Sequence, residues 1–399
     1  MENARQREAA RRFEPTEHYE VWREHCPLHH EADHDPPFYV LSRFDDIVAA
    51  LKQPDLWRNG DGPGVFYQEQ GVLGTTDEPD HGRQRAVLRA SFVPTVINAL
   101  EAPVRALADA LIDEFVDAGS CEFVSQFALP LPALAIAALL GVDPDERDDF
   151  ARWSDLAVAA LSGGAIDDYN RAKGALEDVI ERGMDDRDDQ HRRGAPADDV
   201  LAVLAAARRD GTVSPDEARY LGYQLLVAGH ETTSSLLGMM LYRLLDDPTL
   251  MTALRGDRAL IPVAVEEALR FDSPVHGLFR TNATECVVHG ASIPPRSKVQ
   301  LAFAAANRDP RTFSHPDEFR LDRERSELGR HVAFGWGIHF CLGAPLARLE
   351  ARVAFEQLLD RLDGIELAGE PVRNDSFVLH GLSRLPIRFR AARATQVTA

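Results

Sequence analysis

Cysteine is scarce in this 399-residue chain: four residues, at 26, 121, 286 and 341, with no C-x-x-C pair among them. That spacing excludes a disulfide-stapled scaffold and a zinc ribbon. Whatever chemistry Cys341 performs, it performs alone. Basic residues are in deficit too, with 44 Lys and Arg against 64 Asp and Glu and a formal net charge of -20. Such a surface repels nucleic acid and anionic membrane, so neither is expected as a partner. Long apolar runs are missing. The longest, "FALPLPALAIAALLGV" from Phe127 to Val142, contains two prolines and is too short and broken to span a bilayer. The opening "MENARQREAARRFEPTEHYE" lacks the apolar core of a signal peptide, so a soluble cytoplasmic protein is expected. No Ser/Gly-rich or Pro-rich linker and no internal repeat divides the sequence. Residues 1–399 therefore read as one large domain, expected to act as a monomer.

What is present is mostly helical. "DPPFYVLSRFD" holds a short aromatic and β-branched run that reads as a strand, and "FDDIVAALK" turns to helical spacing. From Asp80 to residue 270 the apolar residues recur at periods near 3.6. Strand-like pieces return in "FRTNATECVVHGASIPPRSKVQLA", and a terminal hairpin is expected within "DSFVLHGLSRLPIRFR". The fold class expected is mainly α with small β-sheets near both ends.

One stretch, "FGWGIHFCLG" at 334–343, concentrates three glycines, aromatics, a histidine and Cys341. Gly335, Gly337 and Gly343 permit an unusual backbone path close to a flat partner. The amphipathic pattern "LGAPLARLEARVAFEQLL" begins directly after Cys341. Its sulfur is thus expected near a helix N-terminus, where N–H groups favour a thiolate. One soft metal bond to a large planar cofactor suits this arrangement, and haem iron held by cysteine is the known case.

The string "AFGWGIHFCLGAPLARLE" resembles the haem-binding loop of the cytochrome P450 family, F-G-x-G-x-H/R-x-C-x-G. Phe334, Gly335, Gly337, His339, Cys341 and Gly343 all match. The resemblance implies the cytochrome P450 fold around a buried haem b, with Cys341 as the iron ligand. In "LLVAGHETTSSLLGMMLYRLL", expected on a helix over about 217–246, Ala228, Gly229, Glu231 and Thr232 resemble the family's A-G-x-D/E-T. A carboxylate and a hydroxyl in an apolar helix need a reason. The family implies that Thr232 releases its backbone bond to hydrogen-bond oxygen, while Glu231 relays solvent protons. The other reading is that Thr232 bonds back to a preceding carbonyl and Glu231 caps a surface. His230, variable in the family, is read as a bystander.

Further segments extend the likeness from about Asp77 to Leu385. "EEALR" supplies Glu267 and Arg270, joined in the family by the arginine matching Arg323 of "FRLDR", as structural ion pairs. His81 and Arg85 of "DEPDHGRQR" match H-x-x-x-R, and Arg280 matches an arginine after E-x-x-R. With His339 these provide four donors for two haem propionates. Family position nominates Phe66, Tyr67, Val72, Leu225, Ala228, Val275, His276, Leu278, Val378 and Leu379 as substrate contacts, most of them apolar, for a hydrophobic small molecule. Departures are Trp336, Cys286, and His380 where arginine is common.

The activity implied is a monooxygenase that inserts one atom of O2 into its substrate. No flavin or iron–sulfur segment is recognisable, so a ferredoxin or flavodoxin with an NAD(P)H reductase is implied as electron donor. Arg83, Arg85, Arg89, Arg330, Arg348 and Arg352 concentrate positive charge in an acidic chain, and those not used by haem are expected to dock an acidic donor. Two alternatives stay open. A non-catalytic haem sensor or recruitment protein would have no use for a proton relay, and a peroxide-using or isomerising enzyme would consume no NAD(P)H.

Overall fold

The protein is described here from a computed structural model, covering residues 17–68, 71–146, 149–150, 152–153, 156, 166–374, 376 and 378–392. Eight of its described helices have ten residues or more. They are α1 (Asp80–Arg89), α2 (Glu101–Asp113), α3 (Pro130–Leu140), α4 (Ile166–Arg192), α5 (Val200–Arg209), α6 (Pro215–Asp246), α7 (Ile261–Phe271) and α8 (Ala344–Arg361).

α6, at 32 residues, is the axis of the molecule. Its start is written in "SPDE": the Ser214 hydroxyl accepts from the Glu217 N–H, the Glu217 carboxylate accepts from the Ser214 N–H, and Pro215 needs no N–H partner at the first position. Apolar side chains of α2, α3, α5, α6, α7 and α8 form the main core. Gly222 lets α6 approach α4, since a Cβ there would meet Ile180 Cγ2 at 2.8 Å.

Small sheets flank the helices. The largest runs β1 (Leu28–Glu31), β2 (Phe38–Leu41), β8 (Lys298–Leu301), β5 (Leu278–Asn282), β3 (Trp57–Arg58), with β2 and β8 parallel and the other pairs antiparallel. β4 (Ser120–Glu122), β12 (Pro386–Ala391) and β9 (Leu362–Leu367) form a second sheet, while β6 (Cys286–Val288) pairs with β7 (Ala291–Ile293).

The terminal hairpin is corrected. β11 (Leu382–Arg384) pairs with β10 (Val372–Arg373), upstream of the expected segment, and β12 pairs with β9 and β4. Only Leu385 separates β11 from β12, so the chain cannot reverse there. It passes from one sheet to the next instead. No described helix is long and apolar enough to cross a membrane.

Candidate active site

The loop preceding α8 is shaped by its own backbone. Gly335 and Gly337 adopt φ of 69° and 73°, a left-handed region that costs other residues about 1–2 kcal/mol. A Cβ on Gly337 would also stand 2.6 Å from the Leu51 carbonyl oxygen. Gly343 is different: its φ of -79° is ordinary, and its missing side chain leaves room beside the Cys341 sulfur, 3.9 Å from where a Cβ would lie. The Cys341 N–H donates to the Phe334 carbonyl at 2.9 Å, closing the loop. Phe334 is covered by the Arg348 guanidinium at 4.5 Å.

Two residues that the sequence reading did not single out anchor this loop from outside. Buried Asn307 accepts from the Val332 N–H at 2.7 Å, and Glu266 ties His331 at 2.9 Å to Arg348. Their only sequence signal was their place in "NRDPRTF" and "EEALR".

The Cys341 side chain is solvent-accessible yet lies deep within the surrounding protein. The backbone N–H groups of Gly343 and Ala344 pull its pKa down, as the helix-start argument expected. Burial nevertheless outweighs them and raises the thiol pKa, with Arg85 and Arg348 pulling the other way. The helix start thus favours the thiolate, as expected, against the opposing effect of burial. A coordinated metal cation would ionise the thiol outright.

Four basic groups meet beside the loop. The His81 and His339 rings lie 4.1 Å apart, Arg280 is buried, and Arg85 donates to the Phe340 carbonyl at 2.7 Å. Burial, then Arg280, His81 and Arg85, push the His339 pKa down to about 3. Burial lowers Arg280 to about 10, with Asp77 opposing. Among the described residues neither Arg85 nor Arg280 has an ion-pair partner, and His339 Nε2 is buried without a hydrogen bond. Buried cations and an orphaned ring nitrogen fit a bound group with two carboxylates, as haem has.

On α6 the turn Ala228–Thr232 stays helical throughout. Ala228 is exposed although Leu225, Leu226 and His230 around it are buried, and Glu231 and Thr232 are half-buried. The Thr232 hydroxyl donates to the Ala228 carbonyl at 2.8 Å. This is the back-bond that an oxygen-side role must exchange. His230 is no surface bystander: it is fully buried and hydrogen-bonded to the Leu129 carbonyl at 3.0 Å.

The structure joins Glu267, Arg270 and Arg323 in one buried cluster, with Arg270 Nε at 2.7 Å and Arg323 Nε at 2.9 Å from the Glu267 carboxylate. The nominated substrate contacts separate. Val275 bridges Leu379, and the His276 N–H donates to the Val378 carbonyl at 2.8 Å. Side chains alternate across this short ladder. Val275 and Leu379 share one face, whereas His276 stacks on His380 at 4.6 Å, on the side of the buried Arg243–Asp272 pair. His276 is buried against the His380 ring. Val72 and Leu225 are buried, and Leu278 is half-buried on β5. Phe66 and Tyr67 are exposed, and the Tyr67 hydroxyl donates to the Arg296 carbonyl, which ties that side chain to the turn leading into β8.

The arginine patch is also corrected in part. Arg83 pairs with Asp80 and Glu217, Arg348 with Glu266, and Arg352 with Glu101 and Glu356. Arg89 and Arg330 are the exposed cations that remain of the six.

Comparison with known proteins agrees with this architecture. The family profile "Cytochrome P450" matches residues 152–384. Cytochrome P450 107B1 of Saccharopolyspora erythraea is 37% identical, over 88% of this chain and 89% of that one. The vitamin D(3) 25-hydroxylase of Pseudonocardia autotrophica is 36% identical over 92% of each, and the 6-deoxyerythronolide B hydroxylase of S. erythraea 37% over 79% and 77%. The crystal structure of cytochrome P450 CYP109Q5 from Chondromyces apiculatus superposes with a TM-score of 0.84 at 33% identity, covering 94% of this chain and 95% of that one. A sequence likeness that runs through most of both chains, joined to a shared fold, means that this chain belongs to the cytochrome P450 family and is a haem- and dioxygen-using monooxygenase.

Proposed function

We propose that the protein, a single-domain cytoplasmic monomer, binds haem b through Cys341 and hydroxylates a large hydrophobic small molecule of the steroid or polyketide kind. Its electrons come from a ferredoxin or flavodoxin whose reductase oxidises NAD(P)H. The carrying observation is the cluster of His81, Arg85, Arg280 and His339 beside the cysteine loop, in which neither arginine has an ion-pair partner among the described residues and His339 Nε2 is buried without a hydrogen bond. The substrate class rests on the relatives, among them hydroxylases of vitamin D(3) and of 6-deoxyerythronolide B.

Haem, when bound, supplies the activation of dioxygen, and a cysteine thiolate ligand favours O–O cleavage. The chain's own residues do the rest. N–H groups of Gly343 and Ala344 at the start of α8 favour the thiolate form of Cys341. Arg85, Arg280, His81 and His339 neutralise and orient the two carboxylates. Thr232, by exchanging its bond to the Ala228 carbonyl, offers a hydroxyl proton on the oxygen side, and Glu231 brings protons to it from solvent. Arg89 and Arg330 are the cations left to meet an acidic electron donor.

The test is optical. The reduced carbon monoxide complex of the purified protein should carry a thiolate-type absorption that Cys341→Ser abolishes. Ferric protein titrated with steroids, macrolides and fatty acids should shift from low to high spin with one class. A parent spectrum without thiolate character would overturn the assignment of Cys341.

A further inference from the structure

We infer that His230 is a positioning residue, one that sets the rotation of α6 and so aims Thr232 and Glu231; the inference rests on the roles given to those two residues above. Successive helix residues turn by about 100°, so Ala228 and Thr232, four apart, share a face, while His230 projects from the opposite side. Burial follows that geometry: Ala228 is exposed and His230 has no exposed surface.

The partner of His230 is a rigid one. Leu129 closes the wide helical turn Val124–Ala128 and is the N-cap residue of α3, where Pro130 follows at once. Its carbonyl oxygen lies 3.0 Å from His230 Nε2, and because a carbonyl only accepts, Nε2 carries the proton. The neighbouring contact between the two helices is looser. A Cβ on Gly229 would have Ile136 Cδ1 at 3.7 Å, an ordinary van der Waals distance, so close packing at Gly229 does not lock the rotation. The hydrogen bond from His230 is the directional contact that fixes this turn, beside the close approach at Gly222 farther along α6.

The consequence for chemistry follows from lever arms. A rotation of about 15° would carry a side-chain oxygen about 5 Å from the helix axis through about 1.3 Å. Misplacements of about 1 Å can cost about a hundredfold in rate. Loss of the anchor is therefore expected to appear in proton delivery, as reducing equivalents released as peroxide, before it appears in haem binding.

The experiment compares holoenzyme variants His230→Ala, His230→Gln and Thr232→Ala, reconstituted with a ferredoxin and its reductase, on the panel compound giving the largest spin shift. Product formed per NADH, peroxide released, the reduced carbon monoxide spectrum and the thermal midpoint are read for each. Expected for His230→Ala is an intact thiolate spectrum with product per NADH lowered at least about fivefold. His230→Gln, whose amide N–H can still reach the carbonyl, should recover most of that loss. Unchanged coupling in His230→Ala, whatever its stability, overturns the inference, as does a glutamine variant that regains thermal stability without regaining coupling. If Thr232→Ala is as well coupled as the parent, the roles assigned to Glu231 and Thr232 fail instead, a result separable from the first.

Discussion

Replacing Glu267 by glutamine keeps the volume of the side chain and removes one charge from a fully buried polar cluster. The carboxylate accepts from Arg270 Nε and Nη2 at 2.7 and 2.8 Å, from Arg323 Nε at 2.9 Å, and from the Arg320 N–H at 2.9 Å. Both guanidinium groups are buried with it. Burial already lowers the Arg270 pKa despite the facing carboxylate, so the cation depends on its partner. Breaking a buried pair costs about 3–5 kcal/mol, because the remaining charge is left uncompensated. Arg270 loses its carboxylate partner, whereas Arg323 keeps Glu327 at 3.0 Å, and each keeps carbonyl acceptors: Asn307 and Pro316 for Arg270, His315 and Glu318 for Arg323. We therefore expect about 4 kcal/mol, a large part of the 5–15 kcal/mol typical of a folded protein and about 5 °C in Tm for this length. Because the Asn307 side chain also holds Val332 at the head of the cysteine loop, haem retention should fall in parallel. Urea unfolding of the holoprotein, followed by circular dichroism and haem absorbance together, measures both. A Glu267→Gln protein within about 1 kcal/mol of the parent would refute the reasoning that this carboxylate neutralises two buried cations.

The remaining expectations are shorter. Gly337→Ala combines a left-handed backbone with a Cβ 2.6 Å from the Leu51 oxygen; a loss of at least about 2 kcal/mol and poor haem incorporation are expected, read by thermal melts and by absorbance per protein. Arg280→Leu removes a buried cation of the cluster proposed to hold the haem carboxylates, and haem transfer to an apo-globin acceptor should quicken about tenfold or more. Glu217, held down to about 2 chiefly by hydrogen bonds from Arg83, binds fewer protons folded than unfolded between pH 2 and its ordinary value of 4.5. Its stabilisation should be complete above that value and fade as pH falls toward 2. Since Arg83 is about one-third exposed, the contribution is about 1–2 kcal/mol after screening, and the gap between parent and Glu217→Gln in urea midpoint should close on acidification. Charge reversal at Arg89 should weaken the salt dependence of reduction by ferredoxin; unchanged dependence in stopped-flow would remove that residue from the docking surface.

How far the sequence carries depends on how local each feature is. "FGWGIHFCLG" was readable because its path needs glycine at fixed positions, and Gly335 and Gly337 take the left-handed conformations that only their residue type adopts cheaply. The start of α6 was legible in "SPDE", since a capping box is formed within four residues. Glu267, Arg270 and Arg323 were legible only through family resemblance, for E-x-x-R alone describes countless solvated pairs.

The misreadings share one cause: contacts between residues far apart in the chain. Arg348 and Arg352 form, in sequence, a basic run, and only packing sets Glu266 and Glu101 against them. The terminal strands looked like one hairpin because alternation does not specify a partner, and β12 found β9 and β4 instead. His230 bonds a carbonyl 101 residues away.

By itself, then, the sequence determined the helical class, the cysteine loop with its glycine-dependent path, and the absence of a membrane-spanning run, all properties of local backbone preference and apolar spacing. Which cations stay free and which face of each strand meets the site were decided only in three dimensions. Charge pairing, burial and register are set by neighbours that the chain brings together from a distance.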